Sequence, residues 1–524
     1  MAKIINTYRT LAAAEEAVAQ LTISGFDTNR LSIIGHGDKR LLNGPHLKKS
    51  LLWGGAMGAA ATFLLPGGGH LFLAGHLART VALHALGITA KGIATGLAAG
   101  GSVGLLRRAG LDHRAVKETA EAVAAGDFAL VINGDWITTQ RARRSLGCHR
   151  QQADPRLTEI VRRYGYEHQS FLSLYGGMKV WYAPNDGAVD AAVIYRCVGR
   201  VAIVAASPLA PRQHWAEATS LFLKHCEEQK LDCLMLPIGS EFAQVARQCG
   251  MALLRIGESG YFQLPAWRPA GDRAKKVRAG VNQARKAGVY IERYDPVRDQ
   301  CELKRREIEE LCQRWIDTRE VDALGWLLEL DPFSFGENKR YFLARKADGQ
   351  LVGLLACSPI YARRGWYLED LIRDQKAERG VSELLVVEAL NQLAAEGAEL
   401  ATLATSPLAG LKPVKNNVAG NDPAAGNNAA GNSAESGFKH LSRLLNLIYE
   451  HLDTFYHFKA LHRFKAKFAP SFIDPEYLAF YPPRIRLRMI FALIGAFDPA
   501  GFTGVLASKL RRLWKEARQS ANNL

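Results

Sequence analysis

An α/β fold is predicted for this chain, a small α/β domain followed by a larger layered one, and three observations predict it. From Arg156 to Thr405 strand-like and helix-like periods alternate, the order of a mixed sheet covered by helices. Residues 1 to 50 read as a βαβ-like half domain. The chain has 524 residues, too many for one core, and 48% are hydrophobic, enough for about three domains.

Charge and cysteine usage narrow the function classes. Sixty-seven Lys and Arg against 51 Asp and Glu leave +16, which favours a polyanionic partner, either RNA or an anionic membrane surface. The eight cysteines are scattered with no C-x-x-C pair. A disulfide framework and a metal site are therefore not expected, and a reducing cytoplasm is. Met-Ala-Lys-Ile-Ile-Asn at the start contains no secretory h-region.

In the first domain, residues 1–137, Ile4 to Tyr8 and Leu31 to Ile34 read as strands around a helix over Ala12 to Ser24. Asp112 to Ala125 reads as a helix and Phe128 to Asn133 as a strand. An apolar glycine-rich insert at 51–106 separates the halves, and Gly92, Gly96, Gly100 and Gly104 fall on one helix face. Small residues at that period let helices approach closely, and Leu51 to Ala78 is long enough to cross or dip into a bilayer. The alternative is a soluble glycine zipper that makes an oligomer. Arg141, Arg143, Arg144 and Arg150 mark 138–155 as a basic linker.

Beyond it, Val180 to Tyr182, Ala191 to Cys197, Val201 to Ala205 and Cys233 to Leu236 read as strands, with helices over Trp215 to Gln229 and Glu241 to Cys249. Lys275, Lys276, Arg278, Arg285 and Lys286 cluster on a helix, some at spacings of three and four, suited to contact with phosphates. A solvated face is the alternative. Glu302 to Arg319 is a charged helix, and Trp326 to Phe333 an apolar segment. The chemistry is expected between Gly365 and Leu411. Trp366 to Ile372 reads as a central strand, Gln375 to Gly380 as a turn, Val381 to Leu393 as a helix stopped at Gly397, and Leu400 to Thr405 as a second strand. A strand, a tight turn and a helix start bring unpaired N–H groups to a phosphate or a developing oxyanion.

Residues 412–437 are rich in Asn, Ala, Gly and Ser without periodicity and are expected to be a disordered insert. Leu441 to Phe458 reads as an aromatic helix, after which Lys459, His462, Arg463, Lys465 and Lys467 interleave with Phe458, Phe464 and Phe468. That mixture suits a nucleotide end or a lipid headgroup. The tail, 481–524, is basic and amphipathic, an expected contact with anionic lipid.

Several of these pieces together carry a resemblance: Lys276-Val-Arg278 with Asn282 and Arg285, Asp370-Leu-Ile-Arg373, Gly380 with Glu383, Ser406-Pro407-Leu-Ala-Gly410-Leu411, and Phe455-Tyr456-His-Phe-Lys459 with Arg463-Phe-Lys465-Ala-Lys467. From about Arg156 to Phe480 the chain resembles the C-terminal synthase domain of the phosphatidylglycerol lysyltransferases, the multiple-peptide-resistance-factor family. The resemblance implies two tandem acetyltransferase-like lobes, at 156–290 and 291–480, the second catalytic. It also implies transfer of an amino acid from aminoacyl-tRNA to a membrane phospholipid such as phosphatidylglycerol, with no cofactor beyond the aminoacyl-tRNA itself. Charged tRNA and an anionic membrane become the expected partners, and the inner face of the cell membrane the expected location. Asp370, Arg373 and Glu383 are the implied catalytic set. Lys276, Arg278, Asn282, Arg285, Gly380, Pro407, Gly410, Tyr456, Lys459, Arg463, Lys465 and Lys467 are implied to bind substrate. The chain departs from the family at Ala206-Ser207-Pro208, where Gly-Asp-Pro is usual. Lys3 to Asn133 resembles the small general-stress-protein domains of bacteria, which implies a ferredoxin-like fold. Two competing functions are an acetyl-CoA-dependent N-acyltransferase and an inactive stress-response scaffold on a membrane.

Overall fold

A computed structural model describes residues 2–37, 60–64, 70–76, 125–147, 154–175, 178–184, 190–318, 332–407 and 458–497, together with 116, 119 and 330. The chain divides into two units, residues 1–151 with 312–325, and residues 152–311 with 326–524.

The first unit is built on a five-stranded antiparallel sheet of β1 (Ala2–Tyr8), β2 (Leu31–Gly37), β3 (Ala60–Leu64), β4 (His70–Gly75) and β5 (Phe128–Asn133), in the order β1-β5-β2-β4-β3. Helix α1 (Leu11–Ile23) starts at the Thr10 cap and turns Ala14, Val18 and Leu21 onto Ile33, Leu130 and Ile132. Strand β5 lies between β1 and β2, antiparallel to both, which is a split βαβ arrangement. The small antiparallel sheet agrees with expectation. In the insert, where a segment entering a bilayer and a soluble glycine zipper were both open over Leu51–Ala78, β3 and β4 pair with each other and β4 extends the sheet from β2. The glycine-zipper positions 92–104 lie outside the described residues. Among the described residues no helix is long and apolar enough to cross a membrane.

Part of the expected basic linker is also ordered. Asp135 caps α2 (Trp136–Ser145), whose Trp136, Thr139 and Ala142 are buried. The Arg143 guanidinium donates to the Ile4 carbonyl oxygen at 3.0 Å. Residues 136–145 thus form a packed helix with Arg141 on its exposed side, and 148–153 lie outside the described residues.

The second unit begins with α3 (Pro155–Tyr164), capped by Asp154 with Pro155 at its first position. Strands β6 (Lys179–Tyr182), β7 (Ala192–Val198) and β8 (Val201–Ala205) form an antiparallel meander. Helix α4 (Trp215–Glu228) then crosses over to β9 (Asp232–Ile238), parallel to β8, and α5 (Ser240–Gln248) leads to β10 (Ala252–Gln263). After α6 (Lys275–Lys286) the pattern repeats: β11 (Tyr290–Tyr294), α7 (Glu302–Asp317), β12 (Arg340–Arg345), β13 (Leu351–Ile360) and β14 (Gly365–Arg373). Helix α8 (Val381–Ala395) crosses to β15 (Leu400–Pro407), parallel to β14. Helix α9 (Phe458–Ala466), strand β16 (Phe472–Tyr481) and helix α10 (Leu487–Phe497) complete it. Residues 412–437 lie outside the description, as does the tail beyond 497.

All eleven strands belong to one sheet, ordered β11-β12-β13-β14-β15-β10-β16-β9-β8-β7-β6. At its centre the halves exchange their last strands, because β10 of the first half pairs with β15 of the second and β16 of the second pairs with β9 of the first. The two halves expected as successive lobes are thereby joined through the backbone ladder. Helices α6 and α8 cover one core with Val277, Val281, Leu384 and Leu385, and α4 and α5 another with Phe222 and Phe242.

Candidate functional site

The parallel pair β14 and β15 creates the site. They are joined only at Gly365, Trp366 and Tyr367, opposite Leu400, Ala401 and Thr402, yet the strands run on to Arg373 and Pro407. Beyond Tyr367 they diverge. Two irregularities mark the divergence: β14 shifts register at Glu369 against β13, and Ala404 in β15 takes a left-handed φ of 59°. Lys465, carried by α9, places its ammonium at β15, donating to the carbonyl oxygens of Ala404 at 3.2 Å and Thr405 at 2.6 Å. Burial lowers its pKa to about 8, offset in part by Glu476.

Around that ammonium lies a buried polar cluster. Glu476, on β16, accepts from the Ser259 hydroxyl of β10 at 2.5 Å, and burial pushes its carboxyl up to about 6. Glu167 is pushed up to about 7, first by burial and then by the Glu476 charge, while the Gly239 N–H donates to it at 3.3 Å. His168 is lowered to about 3 by burial, with Lys465 and Arg363 adding repulsion, so its imidazole is neutral at pH 7. Its ring meets the Tyr367 ring edge-on, 5.2 Å between centroids. Burial raises the Tyr367 phenol, and the Glu369, Asp370 and Glu476 charges add to it, which ties the β14 carboxylates to the same neighbourhood. Arg363 lies 4.4 Å from the centre of the Tyr261 ring. Glu369 accepts from the Tyr175 hydroxyl at 3.2 Å and pairs with the fully buried Lys339 ammonium at 3.3 Å.

The expected site residues are not all brought together. After the shift at Glu369, strand alternation puts Leu371 and Arg373 on the α8 face and Asp370 on the other, so Asp370 and Arg373 do not face one space. Arg373 is exposed and Asp370 half-buried. Glu383, in the first turn of α8, is paired with the Lys467 ammonium at 2.6 Å, a tie between α8 and the residue that follows α9. Gly380 holds a φ of 93° and packs so tightly on α6 that a Cβ there would run into the Gly280 carbonyl. The turn before α8 is thus packed directly against the backbone of α6. Lys276, Arg278, Asn282 and Arg285 all lie on the exposed side of α6. Two of them already have partners: Arg278 donates to the Pro269 and Gly271 carbonyl oxygens, and Arg285 to Glu388 of α8 at 2.5 Å. Pro407 ends β15 opposite Gly257. Arg463 is exposed on α9. Gly410 and Tyr456 lie outside the described residues, and the Lys459 side chain does too. Among the described residues no group of His, Cys, Asp and Glu is arranged to hold a metal ion.

Sequence reading missed Glu167, His168, Ser259 and Glu476. Glu167 and His168 follow α3 in a stretch with no period. Glu476 carried a weaker signal, as one of two acids, with Asp474, that stand in β16 just before the apolar run Tyr477 to Tyr481.

Residues 158–480 match the family model described as phosphatidylglycerol lysyltransferase, C-terminal. The lysylphosphatidylglycerol biosynthesis bifunctional protein LysX of Nocardia farcinica is 27% identical over 216 residues, 40% of this chain and 18% of that protein. The phosphatidylglycerol lysyltransferase of Staphylococcus epidermidis is 20% identical over 332 residues, 61% of this chain and 35% of that protein. The chain therefore spans about a third or less of the length of these relatives. Among solved structures, L-PGS from Bacillus licheniformis superposes with a TM-score of 0.53 at 17% identity, covering 66% of this chain and 96% of that one. A DUF2156 C-terminal domain from Agrobacterium fabrum gives 0.52 at 19% identity, covering 66% and 96%. At these identities the superpositions show the shared fold.

Proposed function

The chain belongs to the phosphatidylglycerol lysyltransferase C-terminal family, and on that premise we propose that it moves an amino acid from aminoacyl-tRNA to a phospholipid such as phosphatidylglycerol, at the inner face of a membrane. The observation that carries the reading is the Lys465 ammonium seated where β14 and β15 part. Two of its N–H bonds are spent on β15 carbonyl oxygens. The third is available to a developing oxyanion, in surroundings where a fixed charge acts more strongly than in water.

An aminoacyl ester is already activated. The lipid hydroxyl oxygen attacks the ester carbonyl carbon, the bond from that carbon to the ribose oxygen breaks, and the hydroxyl proton ends on the departing ribose oxygen. The protein has to hold the two partners together and stabilise the intermediate charge. In this proposal Asp370 orients or deprotonates the acceptor, Lys465 faces the oxyanion, and the exposed cations of α6, Lys276 among them, meet tRNA phosphates. An acetyl-CoA-dependent reaction is disfavoured by the start of α8, where a pyrophosphate would need open N–H groups and Gly380 instead packs against Gly280.

The test is to incubate the full chain with tRNA charged with labelled lysine and phosphatidylglycerol vesicles, then extract the lipid. Label in the lipid fraction is expected, lost in Lys465→Met. Label that stays on tRNA, or turnover of acetyl-CoA in its place, would overturn the assignment.

A further inference from the structure

One face of the sheet beside Lys465 is lined with polar side chains. On β16, Phe472, Asp474 and Glu476 stand opposite Tyr261, Ser259 and Gly257 of β10, and strand alternation puts their side chains on one side. Tyr261 stands in turn opposite Thr402, and Thr402 opposite Tyr367, so the row continues across β15 to β14. The loop after α3 lies on this row, where the His168 ring meets Tyr367 and the Glu167 carboxylate accepts from the Gly239 N–H.

The carboxyls of this face are not equally engaged. Glu167 is held by Gly239, and Asp474 by the Ser240 N–H at 3.3 Å. Glu476 takes the Ser259 hydroxyl on Oε1. Its Oε2 is buried and accepts no hydrogen bond from a described residue, and the Nδ1 atom of the buried His168 has no such partner either. Both groups belong to the surroundings of Lys465. Burial raises the Glu476 carboxyl, and the Ser259 and Thr405 hydroxyls and the Lys465 charge oppose it; burial lowers the His168 imidazole, and the Lys465 charge adds to that. Buried polar atoms are almost always paired, so two open acceptors beside one ammonium suit a donor that a substrate brings. Glu167, Asp474 and Glu476 stand there against the cations Lys465 and Arg363, a balance that favours a charged donor.

The transfer reaction brings such a donor to this spot. In an aminoacyl ester the α-ammonium is a single carbon removed from the carbonyl whose oxyanion Lys465 faces. We propose that Glu476, through Oε2, and His168, through Nδ1, seat the free α-ammonium of the aminoacyl group, so that the protein selects donors whose amino group is unblocked. Ser259 is then a positioning residue, holding the other oxygen of Glu476. The inference rests on the transfer reading for the identity of the donor and adds what that donor must carry.

The probes are two amides of 3′-amino-3′-deoxyadenosine that cannot be transferred, one acylated with lysine and one with 6-aminohexanoic acid, which is lysine without its α-amine. Binding of each to the full chain is measured by calorimetry, with a melting curve for every variant. The parent should bind the lysyl probe tighter by about tenfold to a hundredfold, the worth of hydrogen bonds to a charged group. In Glu476→Gln the two probes should bind within about threefold of each other, the result of removing one partner of a coupled pair. Ser259→Ala, which leaves the carboxyl in place but frees its other oxygen, should shrink the preference by a smaller factor, and it decides the matter if Glu476→Gln does not fold. Equal binding of the probes by the parent, no binding of the lysyl probe, or a preference that the variants leave intact overturns the seat. Transfer to phosphatidylglycerol from lysyl-tRNA and from Nα-acetyl-lysyl-tRNA separates the two ideas. Label in the lipid from lysyl-tRNA alone supports both. Label from both donors alike overturns the seat and leaves the transfer reading standing, whereas a probe preference with no label in lipid supports the seat and overturns the transfer reading.

Discussion

The two parallel strand pairs of the large sheet start from the same plan and end differently. In the first half, β8 and β9 stay paired over all five positions from Val201 to Ala205, opposite Asp232 to Leu236. In the second, β14 and β15 part after three. The strand exits differ in chemistry as well as geometry. After β8 come Ala206, with a left-handed φ of 68°, and the buried Ser207, without the carboxylate usual at that place in the family it resembles. After the divergence in the second half come Glu369, Asp370 and the Lys465 ammonium. A duplicated framework thus keeps one parallel pair closed and lets the other part, at the place where we propose that the chemistry occurs, and the closed copy lends Glu167, His168 and Ser259 to that neighbourhood.

The sharpest break in that comparison is expected from buried charge. Each half holds an ion-paired carboxylate largely out of water: Asp232, 2% exposed, and Glu369, 9% exposed with Lys339 at 0%. Lys339→Met leaves Glu369 buried without its cation and should cost about 3 to 5 kcal/mol in chemical denaturation. Asp232→Asn frees two arginines that already reach solvent, so a clearly smaller loss is expected. Equal losses would mean that the two halves do not differ in how they handle charge.

Next is activity. Lys465→Met should lower kcat by about a hundredfold to a thousandfold, the effect of removing one preformed oxyanion donor. Ser207→Ala, at the corresponding exit of the first half, should leave transfer within about twofold of the parent. A large loss in Ser207→Ala would show that the closed pair also takes part.

Acidity gives a third, smaller contrast. Glu167 has a folded pKa of about 7, above its ordinary 4.5. The folded protein therefore binds an extra proton between those values, and this carboxyl's destabilising effect appears as pH rises from 4.5 through 7. His168 acts in the opposite sense. It stays neutral when folded down to about 3, so it costs stability as pH falls below 6.5. Glu167→Gln should gain stability relative to the parent between pH 5 and pH 8, by about 1.4 kcal/mol for each unit of the parent's shift. A difference that does not change with pH would place Glu167 in water.

How much of this was legible follows from what periodicity can carry. Val201 to Ala205 and the helix from Val381 were readable because their buried positions recur at strand or helix spacing. The long central strands β10 and β16 escaped. Gly257, Ser259 and Gly260 interrupt the apolar pattern of the first, and Pro475 and Glu476 that of the second. Their place is set by exchange between the halves, which is a long-range property. The site divided in the same way. The Asp370 and Lys465 segments could be found from their motifs, but a register shift at Glu369 decides which face Arg373 takes, and no local pattern announces it. Ser259 belongs to the cluster only through the pairing of β10 with β16, and Glu167 only because the loop after α3 meets Gly239 beyond β9.

The last contrast lies at the ends of the crossover helices, and it isolates backbone conformation from everything else. Helix α8 is followed by Gly397 at φ 85°, with open space where a Cβ would stand. Helix α4 is followed at the same structural place by Lys230, φ 55°, exposed, its N–H donating to the Glu227 carbonyl oxygen. Both positions are left-handed helix ends, where glycine has no side-chain penalty and an L-residue has one of roughly 1 to 2 kcal/mol. Part of that is returned through the unfolded chain, which glycine leaves about 0.4 to 1 kcal/mol more disordered. Lys230→Gly should therefore raise stability by about half to 1 kcal/mol, and Gly397→Ala should lower it by a similar amount. Neither should change transfer activity. Because neither side chain meets a packed neighbour, thermal denaturation of the two variants reads the conformational difference directly, and shifts of the same sign would refute the structural equivalence of the two crossovers.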